Sequence, residues 1–174
     1  MASAINRREL LQLLGAGTAF SALQLPAAES NAPLFFEKDD FATLERLTEI
    51  IIPSDEHSPG AREAEVAKYI DRTVAEAFDP EEKRSWRDGL ALVNEISKAN
   101  AGVAFLKASP EQQVLVMHKL AGDERNGHKK NEQFFGQLKE TTAFVYYSSS
   151  IGIHQEIQYK GNVILEQFVG YDAT

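Results

Sequence analysis

Four side chains of this sequence have the chemistry to bind a metal ion. His57 lies two residues after Asp55, and Glu156 lies two residues after His154. Imidazole nitrogens and carboxylate oxygens are ligands for several divalent metals, so the two pairs could form the site of a small free-standing periplasmic enzyme. Side chains two positions apart on a helix, however, point in different directions. The competing interpretation places Asp55 in a turn and His57 in solvent.

The first pair lies in the segment IIPSDEHSPGAREAEV, residues 51–66, which also has two interpretations. Asp55–His57 stand between two prolines and could form a rigid acid–base cluster. In the local interpretation each residue has a structural role instead. Pro53 ends one helix, Ser58 caps the next helix, and Pro59 takes its first position. We favour the local interpretation, in which the loop can still be a contact surface.

The sequence contains none of the common cofactor-binding or catalytic motifs. It has no Gly-x-Gly-x-x-Gly, Gly-x-Ser-x-Gly, Walker or His-Glu-x-x-His pattern. Cysteine is absent, which excludes disulfides, iron–sulfur clusters and covalent haem attachment. The net charge of −8 argues against nucleic acid and anionic lipid as partners. We therefore expect no catalytic residue, cofactor or metal in this chain.

Apolar residues recur at helical spacing along most of the chain, and no alternating strand pattern interrupts them. The sequence predicts an all-α fold, a single compact bundle of about five to six helices within residues 31–174. A shorter helical piece follows the bundle, over Ile151–Tyr159. The predicted buried faces are Phe41, Leu44, Leu47 and Ile51; Val66, Ile70, Val74 and Ala77; Trp86, Leu90, Val93 and Ile96; Val114, Leu115 and His118; and Phe134, Phe135, Leu138, Thr142 and Val145.

Several helix ends can be located from their capping residues. Asp79–Glu82 and Ser109–Gln112 both combine a capping residue, a proline at the first helical position and an acidic or amide residue three positions on. Gly102 and Gly122 end the two helices that follow. Asp39–Asp40 are possible caps for the first helix.

The N-terminal residues 1–30 resemble an export signal. Arg7 and Arg8 precede an uncharged run that is less apolar than a stable membrane-spanning helix requires. Such a pair is typical of the twin-arginine route, which exports folded proteins. An amphipathic N-terminal helix or a retained anchor remains the alternative. The sequence leaves open whether and where the leader is cleaved.

Aromatic residues are concentrated near the C-terminus. Eight of the fifteen Phe and Tyr residues lie in the last 41 positions. A small bundle cannot bury all of them, and tyrosines beside small residues are typical of surfaces that another protein covers. The alternative is that Phe144 and Tyr147 complete the core of the bundle.

Two motifs resemble those of the gluconate 2-dehydrogenase subunit 3 family, which comprises the small or gamma subunits of membrane-bound sugar and polyol dehydrogenases. The resemblance runs from about Phe41 to about Asn162. The first motif corresponds here to Ile52, Pro53, Asp55, Pro59, Gly60 and Ala61. The second corresponds to Tyr146, Tyr147, Ser149, Ile151, Gly152, Gln155, Glu156, Tyr159 and Gly161.

The resemblance implies a non-catalytic subunit that binds a large FAD-containing flavoprotein of the glucose-methanol-choline (GMC) class. A cytochrome c subunit carrying haem c often completes such complexes. The resemblance further implies that the flavoprotein has no export signal of its own and crosses the membrane together with this chain, whose leader carries Arg7 and Arg8. The expected location is the periplasm, with membrane association only through the complex or an uncleaved leader. The residues of the two motifs are then expected to form the partner interface.

Overall fold

The computed structural model describes residues 32–122, 129–159 and 161, and this part of the chain is helical, without a strand. The predicted all-α fold is confirmed. The predicted signal segment with Arg7 and Arg8, and the aromatic residues Phe168 and Tyr171, lie outside the described residues. The elements are α1 (Lys38–Ile51), α2 (Val66–Glu76), α3 (Pro80–Ala101), a 3-10 turn (Phe105–Lys107), α4 (Pro110–Ala121), α5 (Lys130–Ser148) and a π-helical turn (Gly152–Glu156).

The starts of α3 and α4 are determined by residues next to them in sequence. Asp79 accepts a hydrogen bond from the N–H of Glu81 at 2.9 Å, although the reciprocal bond of a capping box is not formed. Ser109 and Gln112 form the complete box, with each side chain accepting the other's backbone N–H. Both helices begin with proline, as predicted.

The core lies between α3 and the helices around it. Trp86 is buried and makes edge contacts with Phe36 at 6.5 Å and with Phe134 at 5.8 Å between ring centroids. A Cβ atom at Gly89 would lie 2.0 Å from the Phe134 ring, so glycine lets α5 approach α3 closely. The other large buried side chains include Leu44, Leu47, Val66, Ile70, Val74, Leu90, Val93, Phe105, Leu120 and Leu138.

The predicted inner face of α4 is wrong. Val114, Leu115 and His118 are exposed, whereas Val116 and Leu120 are buried. A buried glutamine accounts for this rotation. Gln113 accepts a hydrogen bond from Arg46 Nε at 2.7 Å and donates one to the carbonyl of Phe105 at 3.0 Å.

The start of α1 also differs from the prediction. Glu37 occupies the cap position without a side-chain hydrogen bond, and Asp39–Asp40 lie in the first turn.

A distant aspartate holds the segment before α1. The carboxylate of Asp71 is buried in α2 and accepts the backbone N–H groups of Leu34, Phe35 and Phe36 at 2.5, 3.0 and 2.9 Å. Burial of a charged carboxylate is costly unless hydrogen bonds replace its hydration, and here three of them do so. This contact joins residues 35 to 37 positions apart.

Candidate functional site

The loop between α1 and α2 is closed by its own hydrogen bonds. Asp55 accepts the N–H groups of His57 at 2.8 Å and Ser58 at 2.9 Å. These two backbone bonds hold the pKa of Asp55 below its usual value. The N–H of Ala61 donates to the carbonyl of Ile52 at 2.9 Å, which closes the loop over residues 52–61. We refer to this segment as the 52–61 loop.

Glycine is required within the 52–61 loop because its ends approach each other closely. A Cβ atom at Gly60 would lie 2.5 Å from the nitrogen of Ser54 and 2.8 Å from the carbonyl oxygen of Ile52. The N–H of Gly60 donates to the hydroxyl of Ser54 at 2.8 Å. The two ends of the loop therefore come close together at Gly60.

The predicted helix start at Ser58 and Pro59 is wrong. α2 begins at Val66, after a turn that ends with Glu65 in the left-handed conformation at a φ of 53°. Ser58 is buried and makes a long-range contact instead of capping this helix.

The long-range contact is made by Tyr146, near the end of α5. Its hydroxyl donates to the carbonyl of Pro59 at 2.7 Å and lies 2.8 Å from the hydroxyl of Ser58. The Tyr146 side chain is only 1% exposed. We call this contact the Tyr146 bridge. It joins the two sequence motifs, which lie 87 and 88 positions apart at these residues.

The end of α5 is packed around the backbone of Tyr146. Ser149 donates its hydroxyl to the Tyr146 carbonyl at 2.6 Å and accepts the N–H of Gly152 at 3.0 Å. A Cβ atom at Gly152 would lie 2.1 Å from the same carbonyl oxygen. The π-helical turn can therefore pack against α5 only with glycine at this position.

Exposed apolar side chains are frequent from Phe144 to Tyr159. Of the eleven large hydrophobic side chains that the structure shows as exposed, four lie within residues 144–159. Phe144 is 67% exposed and Tyr147 is 45% exposed, and their spacing of three places them side by side on α5. Neither completes the core. We call the exposed pair of Phe144 and Tyr147 the aromatic surface; Ile157 and Tyr159 follow it in sequence.

The residues predicted to form an interface fall into two groups. Tyr146, Gly60 and Gly152 are buried, and Pro59, Ser149 and Ile151 are partly buried, so these residues support the surface from within. The remainder are exposed: Asp55, Tyr147, Gln155, Glu156 and Tyr159.

The proposed metal ligands are not brought together. Nδ1 of His57 lies 3.9 Å from the carboxylates of Asp55 and Glu56, and all three side chains are exposed. Within residues 32–122 and 129–159, no three histidine, aspartate or glutamate side chains are grouped so that they could hold one metal ion. The pairs at 55–57 and 154–156 both fall in this range.

A surface cavity of about 380 Å³ lies between α3 and α5. Its lining includes Asp88, Leu92, Lys130 and Gln137, and it contains none of the residues predicted to form an interface or a metal site.

These observations define a small all-α domain with two interlocked motif segments and an adjoining group of exposed apolar side chains. None of the helices in the described part of the chain has the length and apolar character needed to cross a membrane. The sequence model of gluconate 2-dehydrogenase subunit 3 matches residues 38–163, and the chain belongs to this family. Comparisons with curated proteins and with solved structures produced no match.

The sequence did not reveal how the two motifs contact each other. The pairing of Ser58 with Tyr146 joins residues that are remote in sequence and have no complementary charge. The paired tyrosines at 146 and 147 were a partial signal, since neighbouring helix positions face different directions and only one of the two can point into the core.

Proposed function

We propose that this chain is the non-catalytic small subunit of an FAD-dependent dehydrogenase complex that oxidises CH–OH groups of a sugar, sugar acid or polyol. Membership of the gluconate 2-dehydrogenase subunit 3 family is the observation that carries the proposal. In this role the chain binds a GMC-type flavoprotein and stabilises it. A cytochrome subunit with haem c is proposed as a third component.

The exposed surface supports a binding role. A partner that covered α5 would remove the exposed apolar area of Phe144 and Tyr147 from water. The tyrosine also carries a hydroxyl that can form a hydrogen bond across an interface. Exposed apolar groups of this kind often mark protein–protein contact sites. The aromatic surface is therefore the proposed contact with the flavoprotein.

The leader supports a role in export. Arg7 and Arg8 form a twin-arginine type signal, while the sequence has no cofactor motif that would explain export in the folded state. We propose that the signal serves the flavoprotein, which loads FAD in the cytoplasm and crosses with this chain to the periplasm.

Export is tested by replacing Arg7 and Arg8 with lysine and co-expressing the flavoprotein. Lysine keeps the positive charge, so the change is specific to recognition of the arginine pair. We expect both proteins and the dehydrogenase activity to remain in the cytoplasmic fraction. Normal arrival of the activity in the periplasm contradicts the proposed export role.

Binding is tested with Tyr147→Asp in a pull-down of the flavoprotein. A charge placed in a desolvated contact costs on the order of 2 to 4 kcal/mol, so affinity should fall about thirtyfold or more. Leu115→Asp is the matched control, because Leu115 is 48% exposed and lies on α4, outside both motifs. Equal affinity of the two variants places the interface elsewhere.

A further inference from the structure

The Tyr146 bridge connects two surfaces that the sequence presents as separate motifs. On one side its hydroxyl holds Ser58 and Pro59 of the 52–61 loop. On the other side its ring makes an edge contact with the ring of Tyr147, at 5.3 Å between centroids. The same buried side chain thus contacts the loop and a member of the aromatic surface.

The loop contributes a strongly acidic border. Asp55 and Glu56 are exposed at its tip, and Glu63 follows just beyond it. Hydrogen bonds from backbone N–H groups lower the pKa of Asp55, and a hydrogen bond from its own backbone N–H, followed by one from the Ser54 hydroxyl, lowers the pKa of Glu63. Both carboxylates are therefore ionised at neutral pH. Nε of Arg62, the residue before Glu63, lies 3.8 Å from the carboxylate of Glu45 on α1.

We propose that the 52–61 loop and the aromatic surface form one docking surface, and that Tyr146 is the positioning residue that sets their relative placement. The inference rests on the proposed function, since the occupant is the flavoprotein subunit. An acidic border beside apolar groups fits a partner patch that is apolar at its centre and carries Lys or Arg opposite the loop.

Positioning has a physical basis in the geometry of the bridge. The Tyr146 hydroxyl bonds to the carbonyl of Pro59 at 2.7 Å and to the hydroxyl of Ser58 at 2.8 Å, whereas the bond between Ser58 and Pro59 themselves is longer, at 3.4 Å. Without that hydroxyl the ring still fills the same space, so the core remains packed while the loop loses these two hydrogen bonds to α5. If binding requires a fixed loop, the free energy of binding then includes the cost of ordering that loop.

The test is Tyr146→Phe in the full chain, with Tyr69→Phe as the matched control. Each variant loses one tyrosine hydroxyl, and Tyr69 is exposed on α2, outside both motifs and outside the proposed docking surface. Hydrogen exchange is measured at the amides of His57, Ser58 and Gly60, and affinity is measured for the FAD-loaded flavoprotein. We expect Tyr146→Phe to speed loop exchange about fivefold and to weaken binding about fivefold, on the scale of one lost hydrogen bond.

The outcomes separate this inference from the proposed function. If the wild-type chain binds the flavoprotein and Tyr146→Phe binds equally well despite faster loop exchange, the loop is not part of the docking surface and the inference fails alone. Unchanged loop exchange in Tyr146→Phe also overturns the positioning role. If the wild-type chain does not bind the flavoprotein, the proposed function fails and the inference with it.

The acidic border is tested separately through the salt dependence of binding. Raising the salt from about 50 to about 300 mM should weaken wild-type binding, because screening reduces attraction between exposed charges. Glu56→Gln removes one charge without touching the hydrogen bonds of the Asp55 turn, and it should lower both the association rate and the salt dependence. An unchanged salt dependence contradicts a basic partner patch opposite the loop.

Discussion

Two kinds of hydrogen bond fix segments of this chain, and they differ in how far apart in sequence the bonded residues lie. Local bonds fix the helix starts at 79–80 and 109–110, whereas long-range bonds fix the segments at 34–36 and 52–61. Asp79 and Ser109 bond to backbone groups two and three residues away. Asp71 and Tyr146, by contrast, hold backbone groups that lie 35 to 37 and 87 residues away. Local caps stabilise a helix whenever that helix forms, whereas the long-range contacts exist only in the folded bundle.

This difference bears on function because the proposed docking surface is of the second kind. The 52–61 loop has its own internal turn, but its attachment to α5 depends on the Tyr146 bridge. Changes that disturb the bundle at this end should therefore impair binding and stability together. Changes at the local caps should lower stability without altering the surface.

The largest expected effect is from Gly152→Ala, which breaks the packing of the π-helical turn on α5. The new Cβ atom would lie 2.1 Å from the carbonyl oxygen of Tyr146, so the backbone must move. We expect a loss of about 3 kcal/mol in the free energy of unfolding, measured by denaturant titration. Gly136→Ala is the control, since its Cβ meets nothing within 4 Å and alanine should add up to about 1 kcal/mol. Equal stabilities of the two variants refute the packing argument.

Asp71→Asn tests the long-range anchor of residues 34–36. The amide keeps the shape of the side chain but loses the charge and turns an N–H group toward backbone donors. We therefore expect a loss of about 2 kcal/mol in the free energy of unfolding. Asp79→Ala should cost about 1 kcal/mol, as the loss of an exposed cap does. Chemical denaturation of both variants measures their losses in the free energy of unfolding. If the loss for Asp71→Asn is no greater than that for Asp79→Ala, the long-range anchor is not the stronger contact.

Ser58→Ala provides a finer comparison within the Tyr146 bridge. It leaves the hydroxyl of Tyr146 bonded to Pro59, and it removes the 2.8 Å bond to Tyr146 together with the long 3.4 Å bond from Ser58 to the Pro59 carbonyl. We expect a loss of about 1 kcal/mol in stability, which corresponds to a decrease of roughly 2 to 4 °C in the melting temperature. Thermal unfolding followed by circular dichroism checks this, and an increase in melting temperature contradicts a stabilising role for Ser58.

The smallest expected effect is the response of the 52–61 loop to acid. The pKa of Asp55 is lowered in the folded chain, so the turn is stabilised above the unfolded value of about 3.9 and loses that support as the pH falls through the folded pKa. The amide signals of His57 and Ser58 should titrate below a pH of about 4 by NMR. In Asp55→Asn this titration should vanish, and its persistence would assign the effect to another group.

Local patterns predicted the helical class and most helix boundaries. Pro80 and Pro110 with their capping residues, and Gly102 and Gly122 at the helix ends, lie where the sequence placed them. The apolar stripe at Trp86, Leu90 and Val93 was also predicted correctly, because helical spacing alone determines which of these residues share a face.

The same reasoning failed where a polar group decided the packing. The apolar pattern of α4 favoured Leu115 as an inner residue, but the buried amide of Gln113 bonds to Phe105 and Arg46 and rotates the helix. Similarly, Ser58 has the sequence context of a cap, and only the folded chain brings the hydroxyl of Tyr146 to it.

By itself, then, the sequence determined the elements, their caps and the family motifs, because these depend on residues within a few positions of one another. Only the tertiary structure decided that Tyr146 points inward to the 52–61 loop while Tyr147 remains exposed beside Phe144. Adjacent helix positions are turned by about 100°, so one tyrosine of the pair had to face away from the core. The position of the loop decided which tyrosine faces inward, because the loop receives the hydroxyl of Tyr146.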